Sequence, residues 1–97
     1  MELKSLFQDF FKDFSNRLNT LEKGIEEDKP KVVAFAAHAI KGSSASLGAL
    51  RIYKLALALE ECARSRNLKQ AKPWIHQIKR EKRLLKKYLI NKNLAAA

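Results

Sequence analysis

The sequence has few of the residues that interrupt or cross-link a chain. It contains one cysteine, Cys62, so no disulfide can form within it, and this fits a reducing compartment. Three glycines and two prolines leave long stretches without a helix breaker. No segment alternates between apolar and polar residues in the way that a half-buried strand does. We therefore expect a helical protein that is held together by an apolar core.

Other absences restrict the functions that the chain can have. No apolar run approaches the roughly 18 residues of a membrane span, and no basic segment followed by an apolar one begins the chain, so we expect a cytoplasmic protein. A glycine-rich phosphate loop and the kinase catalytic motifs are missing, so we expect no ATP-dependent kinase activity. Two distant histidines and one cysteine are a poor metal-ligand set, and we expect no cofactor.

Positive charge is in excess. Lys and Arg number 20 against 10 Asp and Glu, a formal net charge of +10 that favours acidic partners. The excess is concentrated in the run from Lys79 to Lys87. Because no base-reading motif accompanies this run, nucleic acid is not the partner we expect. A small basic helical protein that binds nucleic acid or acts as a scaffold is the alternative function, and a bundle used only for dimerisation is a third.

Apolar residues at three- and four-residue spacing predict four helices. Proline is tolerated in a first helical turn and glycine ends helices, so Pro30 and Gly48 mark two boundaries, with Asp28 as a candidate N-cap. The predicted helices run from Leu3 to about Glu26, from Pro30 to about Leu47, from about Leu50 to Ser65, and from Leu68 or Ala71 to Asn91.

Short connections between four helices predict an all-α fold, an antiparallel (up-down-up-down) four-helix bundle. The length of 97 residues fits a single domain over residues 1–94, and we expect a monomer. Residues 95–97 are interpreted as a vector-derived tail.

The aromatic-rich face of the first helix is assigned to the core, and Leu6 lies off that face as a candidate partner contact. The third helix is apolar on most sides and is expected to be wedged between its neighbours. The last helix is expected to contribute Trp74, Ile75, Ile78, Leu85, Tyr88 and Leu89 to the core.

One histidine lies on the second predicted helix, on the side away from its apolar stripe. That stripe consists of Val33, Ala37, Ile40, Ser44 and Leu47. At about 100° per residue, His38 points roughly 140° away from the middle of the stripe. Burial does not explain this histidine, so we expect its imidazole to face solvent or a partner.

The surroundings of His38 are mostly small. Lys41 can bring its ammonium group back over the imidazole ring, whereas Gly42 has no side chain that could cover it. Glycine inside a helix costs about 1 kcal/mol relative to alanine, so Gly42 indicates that something must approach closely. A neutral imidazole is a nucleophile near pH 7, and an exposed one beside a cation suits phosphoryl transfer. Helical spacing places around His38 the side chains of Lys31, Ala34, Phe35, Lys41 and Ala45.

The run from His38 to Ser44, followed by Leu47-Gly48-Ala49 and a leucine- and alanine-rich helix that ends in Leu59-Glu60, resembles the histidine-containing phosphotransfer (HPt) domain of multistep phosphorelays. In that family the histidine is phosphorylated, the lysine three residues later lies beside the phosphoryl group, and the glycine four residues later gives a receiver domain access. The resemblance implies these roles for His38, Lys41 and Gly42.

The resemblance also implies partners. It predicts that the chain relays a phosphoryl group between aspartates of response-regulator receiver domains, with Mg²⁺ bound by the receiver, and it makes a hybrid sensor histidine kinase a further candidate partner. Glu60 aligns with a family position that faces the histidine and is a candidate to orient it; a solvated carboxylate is the alternative interpretation. The candidate docking residues are Lys31, Ala34, Phe35 and Ala45.

Overall fold

The computed structural model describes residues 3–92, and within that range the chain is helical, with no strand. The elements are α1 (Leu3–Glu26), α2 (Pro30–Leu47), α3 (Leu50–Arg64) and α4 (Ala71–Asn91), with a 3₁₀ turn at Leu68–Gln70 before α4. The all-α prediction is confirmed. None of these helices combines the length and apolarity that crossing a membrane requires. The interpretation of residues 95–97 as a tail lies outside the described residues.

The helices pack as an antiparallel bundle with extents of 40 × 20 × 20 Å. On α4 the Lys82 Nζ contacts Ser15 Oγ at 2.6 Å, and Lys79, one turn earlier, pairs with Glu22, which lies later on α1. Residue numbers therefore rise along one helix as they fall along the other. The most extensive contacts of α2 are with α3 and α1, and those of α4 are with α3. The predicted four-helix bundle is confirmed, with α2 and α4 diagonally opposed.

The core follows the predicted apolar stripes. Burial of the apolar side chains along these stripes is the main source of stability, since each large one contributes roughly 1.5–3 kcal/mol. Where the beginning of α1 meets the end of α4, a smaller cluster forms from Phe7, Phe11 and Leu89. The largest side chains with almost no exposure are Leu21, Ile40, Ile52, Leu59, Ile78 and Val33.

Some predicted core residues are corrected by the structure. Tyr88, on α4, is 55% exposed. Leu50 is 61% exposed, so the beginning of α3 is not covered on all the sides that its sequence suggested. The reason is that periodicity identifies an apolar face but does not say how much of that face the neighbouring helices cover.

Not every lysine of the basic run is fully solvated. Lys82 is half-buried, with its ammonium group 5.9 Å from the centre of the Phe14 ring. Burial, together with the positive charges of Lys86 and Lys79, lowers the pKa of Lys82. The basic run therefore contributes to the packing of α4 on α1 as well as to the surface.

Each of the three connections closes with the same hydrogen-bond pattern. A backbone N–H donates to the carbonyl five residues earlier, at distances of 2.8–2.9 Å, and the residue before the donor is left-handed. The left-handed residues are Asp28 (φ 52°), Gly48 (φ 77°) and Arg66 (φ 59°). Asp28 is therefore a turn residue, and the expectation that it caps α2 is wrong. Lys29 is the N-cap and makes no side-chain capping bond.

Helix α2 packs tightly against α1 at Gly24. A Cβ atom at this position would lie 2.8 Å from Cγ2 of Val33, a contact too short for real Cβ atoms. Val33 is β-branched and has no exposed surface, so it cannot move aside easily. Close helix packing thus explains a glycine inside α1.

The left-handed turns predict opposite effects of two substitutions. Gly48→Ala should lower the free energy of unfolding by about 1 kcal/mol, because a Cβ atom is strained at this positive φ. Arg66→Gly should raise it by up to about 1 kcal/mol for the same reason. Urea unfolding followed by circular dichroism measures both. Lys54→Gly, at an exposed position inside α3, is the control and should be destabilising by about 1 kcal/mol. An Arg66→Gly variant that behaved like Lys54→Gly would contradict this role for the turn.

Candidate functional site

The site lies where the outer edge of α2 meets α3. The side chain of His38 is 63% exposed, although its helix buries Val33, Ala37 and Ile40 on the opposite side. The imidazole is therefore exposed, as the helical periodicity of the sequence predicts. Among the side chains of residues 3–92, the one that binds the ring is Glu60, at the Nδ1 edge.

Glu60 is a nearly buried carboxylate, 3% exposed, on the side of α3 that packs against α2. Its Oε2 lies 2.7 Å from His38 Nδ1 and accepts a hydrogen bond from Arg64 Nη2 at 2.9 Å. Its Oε1 accepts a hydrogen bond from Lys41 Nζ at 2.7 Å. The interpretation of Glu60 as a solvated helix carboxylate is therefore wrong. One carboxylate joins three side chains from two helices.

The three donors keep this carboxylate ionised. Burial by itself would raise the pKa of Glu60, but hydrogen bonds from Lys41, Arg64 and His38, with the positive charge of Lys41, outweigh burial and lower the pKa to about 2. A buried carboxylate is stable only when it is paired in this way. The anion is present over the whole physiological pH range.

The ionised carboxylate fixes the tautomer of the neutral imidazole. A carboxylate can only accept, so Nδ1 of His38 must carry the proton that lies between it and Glu60. The lone pair of the neutral ring is then on Nε2, which points away from Glu60. The site presents one defined nitrogen nucleophile to solvent.

The structure shows a binding partner for Lys41 within the chain but no packing reason for Gly42. The ammonium group of Lys41, which was expected over the imidazole ring, is bound to Glu60 instead, and its side chain is 21% exposed. Among the described residues, a Cβ atom at Gly42 would have no neighbour within 4 Å beyond its own stretch of helix. Packing within the described part of the chain therefore gives no reason for a glycine at position 42, in contrast to Gly24.

The candidate docking residues are not equally accessible. Phe35, one turn before His38, is 72% exposed, which is unusual for a large aromatic side chain. Lys31 and Ala45 are exposed, whereas Ala34 is half-buried and packs against the core. The accessible surface around the imidazole therefore includes one large apolar side chain, that of Phe35.

Sequence reasoning missed Arg64. Its guanidinium group is the third donor to Glu60, at i, i+4 spacing on the same helix, and that spacing is the signal that would have found it. His76 is exposed and lies on α4, away from these residues. Among residues 3–92 no cluster of three His, Cys, Asp or Glu side chains is arranged to hold a metal ion.

The lowered pKa of Glu60 predicts how stability depends on pH. Because the folded pKa of about 2 lies below the ordinary value of 4.5, ionised Glu60 stabilises the fold fully above about pH 4.5, and this stabilisation disappears as the pH falls towards 2. Glu60→Gln should therefore destabilise the protein at pH 7, and its deficit should shrink by about 2 kcal/mol between pH 7 and pH 3. Urea unfolding at each pH gives the difference.

The neighbouring carboxylate provides the control for this pH series. Glu61 is exposed, so Glu61→Gln should stay within about 0.5 kcal/mol of the wild type throughout. A Glu60→Gln deficit that is the same at pH 3 and pH 7 would mean that the charge of the carboxylate does not stabilise the fold.

Comparison with known proteins places this geometry in a family. Residues 5–89 match the family model described as the Hpt domain. Histidine-containing phosphotransfer protein 5 of Arabidopsis thaliana is 31% identical over 80 residues, which cover 79% of this chain and 51% of the relative, so the match spans about half the length of that protein. No solved structure matches significantly. With a family match over most of its length and a bundle that holds an exposed histidine, the chain belongs to the Hpt-domain family.

Proposed function

We propose that this chain is a phosphoryl carrier in a phosphorelay, and that Nε2 of His38 is the atom that carries the phosphoryl group. The observation that supports this most directly is the contact between Glu60 and Nδ1, which leaves Nε2 as the free nitrogen of an exposed ring. The family match independently supports the broader part of the proposal, a role in phosphotransfer.

The transfer that we propose is balanced without an added proton donor. The lone pair of Nε2 attacks the phosphorus of an aspartyl phosphate on a receiver domain, an N–P bond forms, the bond from phosphorus to the aspartate oxygen breaks, and the aspartate leaves as a carboxylate. The proton on Nδ1 stays in place, and the positive charge that the ring gains is offset by Glu60. Transfer to a second receiver is the reverse of these steps.

Positioning and charge are what such a reaction needs most. Lys41 and Arg64 supply positive charge near the imidazole, because both bind the Glu60 carboxylate that His38 contacts. Both have part of their side chains exposed. They would attract the incoming phosphoryl oxygens. Mg²⁺ and the acidic pocket that binds it would belong to the receiver, as the family resemblance implies.

Docking of the receiver would use the face around His38. Phe35 offers an exposed apolar contact one turn before the imidazole, and Gly42 leaves the surface one turn after it uncovered. Exposed aromatic side chains are frequent anchors of protein interfaces. Lys31 and Ala45 extend the same face at its two ends.

The carrier assignment predicts where the phosphoryl group is attached. A labelled phosphoryl group from a phosphorylated receiver should appear on this protein in an acid-labile, base-stable form, and His38→Gln should abolish the labelling. The fold should survive, because the His38 side chain is mostly exposed. His76→Gln, at the other histidine, is the control and should be labelled like the wild type. Labelling that persists in His38→Gln would refute the assignment.

The open surface at Gly42 predicts a separation of stability from function. Gly42→Ala should stabilise α2 by up to about 1 kcal/mol, because its methyl group meets no neighbouring side chain, and should transfer phosphate at close to the wild-type rate. Gly42→Gln should also fold, but its side chain leans towards the N-terminus of the helix and over the imidazole. Even about 1 Å of misplacement can slow a reaction on the order of a hundredfold.

Rapid-quench kinetics measure the rate of transfer from a phosphorylated receiver to Gly42→Ala and to Gly42→Gln. Thermal melts show whether each variant is folded. Lys41→Ala should transfer more slowly while keeping the labelled site. A folded Gly42→Gln protein that transfers at the wild-type rate would show that nothing needs to approach this surface, and the access argument would fail.

A further inference from the structure

A second surface, away from His38, has the composition of a binding site. A groove of about 410 Å³ runs between the beginning of α3 and the second half of α4, which we call the α3–α4 groove. Its apolar lining includes three exposed side chains, Leu50 (61%), Leu84 (47%) and Tyr88 (55%). Contiguous exposed apolar side chains with a polar rim are typical of interaction sites.

Positive charge borders the α3–α4 groove on both helices. On α3, Arg51 lines the groove, and Lys54 is exposed one turn after Leu50. On α4, Arg80 and Lys87 are exposed one turn before and one turn after Leu84. The result is an apolar floor with cationic sides.

Acidic groups do little to balance these cations. The carboxylate that lines the α3–α4 groove belongs to Glu81, and its Oε1 is already 3.6 Å from Nη1 of Arg51. Lys92 adds a further cation, with its ammonium group 5.8 Å from the centre of the Tyr88 ring. The groove therefore selects for a partner that is apolar in the middle and negative at both edges.

The shape of the groove selects among acidic partners. A groove between two helices is filled well by a ridge of side chains at i, i+3 or i+4, and i+7 on a third helix. A second copy of this chain would bring the same cations against these cations, with a net charge of +10 on each copy. Duplex nucleic acid would satisfy the cations but leave the leucines in contact with phosphates.

We propose that the α3–α4 groove binds an amphipathic helix of another protein, whose apolar ridge is flanked by Glu or Asp residues. Leu50 and Glu60 are ten residues apart, about 15 Å along α3, and the groove lies on the α4 side of α3, whereas Glu60 faces α2. The helix can therefore be bound while His38 exchanges its phosphoryl group.

Selection from a displayed library of helical 18-residue peptides tests this proposal. The full chain is the bait, and the Leu50→Gln/Leu84→Gln double variant is used for counter-selection. The enriched peptides should share an apolar ridge with Glu or Asp on both sides. A synthetic peptide of the enriched sequence should bind the wild type with an affinity on the order of micromolar, and the amide NMR signals that shift should include those of Leu84 and Tyr88.

Matched variants then separate the two parts of the surface. Leu84→Gln should weaken peptide binding at least about tenfold, and Arg80→Glu/Lys87→Glu should weaken it by a similar factor with a smaller salt dependence. Leu6→Gln removes a comparably exposed leucine from α1 and should leave the affinity unchanged. All of these positions are exposed, and thermal melts confirm that each variant is folded.

Several outcomes would overturn the proposal. They are enrichment without acidic flanks, equal binding to the double variant, and peptide signals that map elsewhere. Binding of phosphatidylserine vesicles or of a 20-base-pair DNA duplex that Leu84→Gln abolishes would identify a different class of partner. A dimer in sedimentation that Leu84→Gln dissociates would identify a second copy as the occupant.

Phosphotransfer provides an independent readout. With the peptide at saturation, transfer from a receiver should proceed within about threefold of the rate without peptide, and His38→Gln should bind the peptide with unchanged affinity. A peptide that blocks transfer would mean that the two surfaces overlap. Absence of phosphotransfer with intact peptide binding would refute the proposed function and leave the proposal for the groove standing.

Discussion

The carboxylate of Glu60 is the interaction on which the site depends. It is almost fully buried, and it is stable there only because Lys41, Arg64 and His38 all donate to it. The same contacts connect α2 to α3, hold the imidazole in one tautomer and keep two cations beside it. The contacts that stabilise the packing of α2 on α3 are thus the same contacts that define the free nitrogen of the imidazole. Removing the anion would release three groups at once.

Much of the fold could be predicted because the signals for it are local. Pro30 and Gly48 set helix ends, and the period of the apolar residues placed His38 on the outer face of α2. Information that depends on contacts between helices could not be read in this way. The sequence leaves open whether Glu60 is solvated or buried, because a carboxylate on a largely apolar helix is compatible with either. The exposure of Tyr88 and Leu50 likewise depends on how far α3 and α4 cover each other.

Glycine illustrates the same division between local and tertiary information. The sequence places Gly24 and Gly42 inside helices, where either costs stability. The structure separates them, since a side chain at Gly24 would collide with Val33 while one at Gly42 would meet open space. Only the second is left without an internal explanation, and it lies one turn from His38. The open space there is compatible with the proposed approach of a receiver domain to this surface.

The position of α2 within the bundle has a consequence for the entropy of docking. This helix packs extensively on both α1 and α3, so the backbone that bears His38 is restrained from two sides, and the imidazole is restrained again by Glu60. Ordering a mobile side chain at an interface costs roughly 0.5–1.5 kcal/mol. Here that ordering is complete before a partner arrives. In the proposed transfer, a receiver that reaches Nε2 therefore meets a ring already in position, so a brief encounter can still be productive.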